Sequence, residues 1–424
     1  MRAPASDTRR PIALAGLAAV FIVAAVGCGG KTGLDLPDAQ PDGSVDAGTD
    51  AAVPCVEVPP DGGVAEVPLD TVARLRRADV VFLVDVTLSM RDEIDQIRAR
   101  LRDTLAPAIE GQIPDSQLAV ATHGDFPIDP YGASSDSPFQ LVVPMTSDLA
   151  RAQAGVDSLR LGDGADQPES QVEALYQIAT GEGLGPWIPP AFGCPSGGYG
   201  YPCFRDDSLP IVMMFTDAPM HNGPTGTNPY STIAPPPHTY VDAVRELTAR
   251  GIRVIGLESG GGQGRRDLES IARDTGAIGP AGPLVYDIGT VGERLDDGVV
   301  SAIRTFADSV RFDVDTVLVD PEPGDGIDVR TLVERVEPVR AEPMSGVESI
   351  DVAGGAFRGV HAGTRVVFRI LVRNDAIPPS PHARRFRLGI IFRGDRRTRL
   401  GEAEIVVVIP GTDGSGCDDA PRGG

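Results

Sequence analysis

An aspartate and two hydroxyls at alternate positions, Asp85-Val-Thr87-Leu-Ser89, follow directly on the apolar run Val80-Val-Phe-Leu-Val84. Oxygen ligands crowded into one tight loop suit a hard divalent cation, and the end of a buried strand can hold such a loop still. A second apolar run, Pro210-Ile-Val-Met-Met-Phe-Thr216, ends in Asp217. Between the two, Gly162-Asp-Gly-Ala-Asp166-Gln-Pro168-Glu169 reads as a glycine-rich loop that opens a helix, with Pro168 suited to the first turn. Parallel strands would deliver Asp85 and Asp217 to one edge of a sheet, and ligands of open α/β sheets bind beyond the carboxyl ends of the strands. The plainer alternative is that Asp85, Thr87 and Ser89 cap a helix.

Together the three segments resemble the metal-ion-dependent adhesion site of a von Willebrand factor A domain, and are most similar to the I-like domain of integrin beta subunits. The family's DxSxS stands here as Asp85-Val-Thr87-Leu-Ser89, where Thr87 keeps the hydroxyl. It is followed by Met90-Arg91-Asp92-Glu93, a basic residue and two acids. The middle loop carries D-x-P-E as Asp166-Gln167-Pro168-Glu169, and the third strand ends F-T-D-A-x-x-H as Phe215-Thr216-Asp217-Ala218-Pro219-Met220-His221. The similarity covers residues 75–310 and implies Thr87, Ser89 and Glu169 as direct ligands of Mg²⁺ or Mn²⁺. Asp85 and Asp217 would bind directly or through water. Glu169 takes the role that a middle-loop threonine has in many A domains. The resemblance also places Asp92 and Glu93 at an adjacent site able to hold Ca²⁺, and Asp166 at a third. It implies a protein partner whose Asp or Glu completes the metal shell.

The chain has 424 residues and a formal charge of −22, which argues against a nucleic-acid partner, since phosphate binding depends on clustered cations. At the N-terminus Arg2, Arg9 and Arg10 precede an apolar run from Ile12 to Val26, too short to span a bilayer comfortably. The run ends in Ala25-Val26-Gly27-Cys28, which resembles a bacterial lipoprotein cleavage box. Residues 1–27 are thus expected to be a signal peptide, with Cys28 acylated and the chain anchored to a membrane by lipid. Gly29 lacks the aspartate that resembles an inner-membrane retention signal, so outer-membrane residence is expected. An uncleaved signal anchor is the alternative.

Residues 28–72 are acidic and rich in Pro, Gly and Ala, and are expected to form a flexible tether. Over residues 73–310 strands alternate with helices, which predicts a Rossmann-like α/β domain with a mainly parallel sheet covered on both faces. Its strands include Leu118–Thr122, Gln140–Val143 and Ile252–Leu257. Ile94, Ile97, Leu101 and Leu105 give one helix its apolar face, Val172, Leu175, Tyr176 and Ala179 a second, and Val241, Val244 and Leu247 a third. An insertion at 181–207 carries Trp187, Tyr199, Tyr201 and Phe204, either as anchors for a partner or folded back as a cover. Cys194 and Cys203 could close it, and Cys55 could pair with Cys417. From 311 to 410 short alternating strands at Thr364–Val372, Arg385–Phe392 and Glu404–Ile409 predict an antiparallel, immunoglobulin-like β-sandwich, followed by a flexible tail at 411–424. Arginines between 384 and 399 read as a solvated face, and Gly260-Gly-Gly-Gln-Gly264 as a turn, lacking a phosphate-loop lysine.

These readings point to a cell-envelope adhesion protein rather than an enzyme, since no set of acid, base and nucleophile stands apart from the ion ligands. Two alternatives stay open: a structural protein whose ion stabilises the fold, and a metal-assisted hydrolase using Asp85, Asp217 and His221. His221 itself reads as a loop residue that shapes the site.

Overall fold

The strand that ends at Asp85 is the axis of the α/β part. In the computed structural model, which describes residues 53–59, 62–195 and 197–419, β3 (Arg77–Asp85) is buried from Ala78 to its end. An unbroken apolar strand of this kind belongs where both faces of a sheet are covered. It pairs in parallel with β4 (Asp115–His123) on one side and β8 (Leu209–Thr216) on the other. Beyond β8 come β9 (Arg253–Glu258) and β12 (Val285–Asp287), both parallel, while β5 (Gln140–Thr146) closes the far edge antiparallel to β4. The order is therefore β12-β9-β8-β3-β4-β5. The chain leaves β3 for β4 on one side and later arrives at β8 on the other, so the loops after β3 and β8 diverge and open a crevice.

Among the described residues seven α-helices accompany the sheet: α1 (Arg91–Arg100), continued through a π-helical turn into α2 (Ala106–Gln112), then α3 (Leu149–Asp157), α4 (Gln171–Thr180), α5 (Tyr240–Ala249), α6 (Arg265–Asp274) and α7 (Leu295–Ser309). Ile94, Ile97, Leu101 and Leu105 are buried, as are Val172, Leu175, Tyr176 and Ala179. The third helix departs from expectation. Its buried residues are Tyr240, Ala243 and Leu247, and Val241 is 71% exposed. The Thr239–Asp242 capping box fixes where α5 begins, and that register turns Val241 outward.

Among the described residues, the strands outside this sheet and two small hairpins form two further sheets. One has the order β1-β19-β18-β13-β16-β15, from β1 (Cys55–Glu57), β13 (Arg311–Val319), β15 (Ser349–Asp351), β16 (Ala356–His361), β18 (Arg384–Gly394) and β19 (Thr398–Ile409). The other is β14-β17-β2, from β2 (Ala65–Val72), β14 (Val333–Glu342) and β17 (Arg365–Val372). Phe368 of β17 meets Phe357 of β16 at 5.1 Å and Phe392 of β18 at 5.8 Å between ring centroids, so the two sheets share an apolar layer. All pairings here are antiparallel except that of β1 with β19.

The expectation of a tether reaching residue 72 is corrected here, because β1 and β2 belong to these sheets. Along β2, Val67 and Leu69 point into the core, while Glu66 and Asp70 pair outward with Arg369 and Arg365 of β17. Pro68 is tolerated because β2 is an edge strand. The tail is also tied down in part: Cys417 is disulfide-bonded to Cys55, with their Cα atoms 5.9 Å apart. In sequence, the α/β part is thus an insertion between β2 and β13.

The 181–207 segment folds back on the α/β part. A disulfide joins Cys194 to Cys203 around the hairpin of β6 (Gly198–Tyr199) and β7 (Phe204–Arg205). Trp187 stacks edge-on against Phe126 and donates to the Ala234 carbonyl, Tyr201 packs on Phe139, and Phe204 is buried. Only Phe192 of its aromatic residues stands out, at 90% exposure. A last small hairpin joins β10 (Ile278–Gly279) to β11 (Gly282–Pro283). Among the described residues no helix is long and apolar enough to cross a membrane. Cys28 and the expected signal peptide lie outside the described residues.

A chain that begins at residue 73 lacks β1, β2 and the Cys55–Cys417 bond and uncovers the edge of β17. Its thermal midpoint should fall and its binding of an apolar dye should rise relative to a chain that begins at residue 29. Unchanged values would show that residues 53–72 are a tether after all.

Candidate metal centre

Three loops meet at the crevice. The loop after β3 is fixed by Val86, whose N–H donates to the His123 carbonyl (2.9 Å) and whose carbonyl accepts from Gly162 N–H (2.8 Å). The middle loop is stitched to the one after β8: Glu169 N–H donates to the Pro219 carbonyl (3.0 Å), and His221 N–H donates to the Glu169 carbonyl (2.8 Å). Asp136, missing from the sequence reading, holds the middle loop by accepting from Gly164 and Ala133 N–H groups.

Within this frame Asp85 is fully buried. Its Oδ1 accepts from the Thr87 N–H (2.9 Å) and the Thr87 hydroxyl (2.7 Å), and its Oδ2 accepts from the Thr216 hydroxyl (2.7 Å). Thr87 and Ser89 have their hydroxyl oxygens 3.2 Å apart, and Ser89 donates to Asp217 Oδ1 at 3.2 Å. The structure thus brings Asp85, Thr87, Ser89 and Asp217 into one chain of contacts. Their hydroxyl protons can point at the carboxylates, which leaves oxygen lone pairs for a cation. Thr87 is buried at the floor, whereas Ser89 is exposed and Asp217 half-buried, so the site opens to solvent along that rim.

Glu169 is the most anomalous acid. It is 4% exposed and its Oε2 has no hydrogen-bond partner. Burial, reinforced by Asp85, Asp125, Asp136 and Asp166, pushes its pKa up to about 11. Burial also raises Asp85 and Asp217, each further raised by neighbouring carboxylates. Among the described residues no Arg or Lys forms an ion pair with Asp85, Asp125, Asp166, Glu169 or Asp217. Buried carboxylates that are neither paired nor hydrogen-bonded fit a cation that the polypeptide alone does not supply.

Asp92 and Glu93 lie in the first turn of α1. Asp92 is exposed, whereas Glu93 is buried with Oε2 unpartnered and is raised chiefly by burial, with smaller contributions from Asp217 and Asp92. Asp166 does not join the Thr87–Ser89 group; its Oδ2 lies 3.1 Å from His221 Nε2. Asp125, also absent from the sequence reading, is fully buried beside them, and burial pushes it up to about 8. One ligand atom from each of Asp125, Asp166 and His221 falls within 4.8 Å of the others. The strand-end rule that singled out Asp85 and Asp217 applies equally to β4, which ends at His123 with Asp125 two residues on. His123 is buried with both ring nitrogens unpartnered and is pushed down to about 3 by burial, so it is a neutral imidazole.

No family model matches the chain, and no curated protein matches it. Solved structures with a similar course include a von Willebrand factor type A protein from Catenulispora acidiphila (12% identity, TM-score 0.36), covering 84% of this chain and 72% of that one. Others are the pilus adhesin SpaC from Lactobacillus rhamnosus GG (11%, TM-score 0.33; 82% of this chain, 46% of that) and proximal thread matrix protein 1 from the mussel byssus (15%, TM-score 0.34; 59% and 51%). This chain thus spans about half the length of the latter two.

Two outcomes follow from the geometry. Thr216→Val removes the hydroxyl that orients Asp85 without emptying the core. It should weaken divalent-cation binding by about 10–100-fold in calorimetry, and it should also lower the thermal midpoint, because Asp85 Oδ2, Ala218 N–H and Gln171 each lose a buried partner. Second, Asp125 and Glu169 hold protons in the metal-free fold that the unfolded chain, near 3.8 and 4.5, releases. Metal-free stability should therefore fall as pH rises from about 4 through about 8 and on toward about 11. Saturating Mg²⁺ should remove the part of that slope that comes from Glu169 and leave the part that comes from Asp125, which thermal midpoints measured across pH would show.

Proposed function

We propose that this protein binds a protein partner through a divalent cation held at the end of β3, in the manner of a von Willebrand factor A adhesion site. The observation that carries the reading is Glu169 Oε2, buried without a hydrogen-bond partner and electrostatically coupled to Asp85. Thr87, Ser89 and Glu169 would hold the ion directly, and Asp85 and Asp217 directly or through water. Mg²⁺ or Mn²⁺ in such a hydroxyl-rich shell keeps enough positive charge to take one more carboxylate. The open rim at Ser89 and Asp217 is where an Asp or Glu of the partner would enter. Glu93, buried with an unpartnered oxygen, would serve with Asp92 at an adjacent Ca²⁺ site.

In this reading the molecule is an exported lipoprotein, acylated at Cys28 and anchored to the bacterial outer membrane. The two β-sheets form an immunoglobulin-like sandwich that carries the adhesion domain. Hydrolysis by Asp85, Asp217 and His221 finds little support, because His221 Nε2 faces Asp125 and Asp166.

Calorimetric titration of Mg²⁺ and Mn²⁺ into the metal-stripped chain tests the site, and chelator-sensitive capture of partner tests the role. Saturable binding lost in both Asp85→Ala and Glu169→Ala is expected. Cation binding without any chelator-sensitive capture would leave the ion a structural part of the fold.

A further inference from the structure

His221 has a role that neither the oxygen site nor the loop-shaping reading uses. Its Nδ1 lies 2.7 Å from the Asn228 carbonyl, which can only accept, so Nδ1 carries a proton. In the neutral ring Nε2 then presents its lone pair, 3.1 Å from Asp166 Oδ2 and 3.3 Å from Asp125 Oδ2. The ring cannot turn away readily: Tyr230 stacks on it at 4.2 Å and Tyr131 meets it edge-on at 5.2 Å. Asp125 is equally constrained. Its Oδ1 accepts from Phe126 N–H and from the Tyr230 hydroxyl, while Oδ2, wholly buried, accepts no hydrogen bond.

We propose that Asp125, Asp166 and His221 form a further, separate cation site, which takes a borderline transition ion of the Zn²⁺ or Co²⁺ type rather than Mg²⁺ or Ca²⁺. The spacing fits. Ligand atoms about 2.0–2.1 Å from a tetrahedral zinc stand roughly 3.3 Å from one another, close to the two measured separations from Nε2. The chemistry fits as well, since an imidazole nitrogen with two carboxylates suits zinc-like ions, whereas Mg²⁺ and Ca²⁺ favour oxygen alone. A ring N–H donated to a backbone carbonyl is the contact that metal-bound histidines generally make on their far side. Asp166 is exposed, which gives the ion an entry path and leaves a position for water.

The competing arrangement is a protonated His221 clamped between two acids with no ion. That arrangement uses the same two separations, 3.1 Å to Asp166 and 3.3 Å to Asp125, and is told apart from an ion site by the measurement below. This site is independent of the partner-binding reading, since it shares no ligand with Thr87, Ser89 or Asp217.

The test is to add Co²⁺ to the metal-stripped chain in excess Mg²⁺ and follow visible ligand-field absorption. One equivalent should bind, be displaced by Zn²⁺ but not by Mg²⁺, and remain in Asp85→Ala, which disables the oxygen site. His221→Gln and Asp125→Asn should each abolish the band, a loss larger than the about 10–100-fold that removal of an outer ligand support causes. Because either variant could misfold, spin-echo spectroscopy of the Cu²⁺-loaded native chain provides a second readout, where imidazole nitrogen coupling is expected. Absence of that coupling, equal competition by Mg²⁺, or an unaltered band in a folded His221→Gln variant would overturn the proposal.

Discussion

Carboxylates gathered at a dry sheet edge repel one another, and among the described residues no arginine or lysine pairs with them. Asp85, Asp125 and Glu169 are buried beyond the ends of β3, β4 and β8 with Asp136, Asp166 and Asp217 around them. Each must be protonated, hydrogen-bonded or neutralised by an ion, because an isolated buried charge is far too costly. Asp85 is met by three donors and Asp136 by backbone N–H groups, but Glu169 Oε2 and Asp125 Oδ2 are met by none. The loops around the crevice are arranged so that this deficit faces inward, where a divalent ion can satisfy several acids at once.

The rest of the α/β part serves to hold that deficit in place. β3 carries no polar side chain between Asp79 and Asp85 and is covered throughout, so the position of Asp85 is set by a rigid strand. Thr216, on the neighbouring strand, turns its hydroxyl to Asp85 while accepting from Ala218 N–H and Gln171, which ties β3, the loop after β8 and the start of α4 together. Ser170 donates to the carbonyls of Gly124 and Pro138, which fixes the loop after β4 to the same helix. An oriented second layer of this kind is what gives metal sites their geometry.

The β-layered part is built from both sides of the α/β insertion. Its edge strand β2 explains how composition misled. Glu66 and Asp70 look like the acids of a solvated tether, yet they are the outward residues of a strand whose alternate positions, Val67 and Leu69, are buried. Their partners Arg369 and Arg365 lie some three hundred residues away in sequence. Such exposed pairs contribute little each. The shared phenylalanine layer and the Cys55–Cys417 bond carry more of the load.

Continuous apolar runs are local properties, so the strands ending at Asp85 and Asp217, and the helical faces of α1 and α4, were legible from residue order alone. The juxtaposition of Asp85, Thr87, Ser89 and Asp217 also follows from order, because hydroxyls two and four residues past a strand end have little choice of place. The partnership of Asp125, Asp166 and His221 does not. These residues sit in three loops whose closure depends on non-local hydrogen bonds, such as Glu169 to Pro219 and Asp166 to Tyr131, and on the stacking of His221 against Tyr230. The inclusion of Cys55–Glu57 and Ala65–Val72 in the sheets was hidden for the same reason: a short edge strand is defined by the strand it pairs with. Sequence determined the strands and their terminal acids because burial acts on each run by itself, and tertiary structure alone decided which acids share a charge because that depends on distance in space.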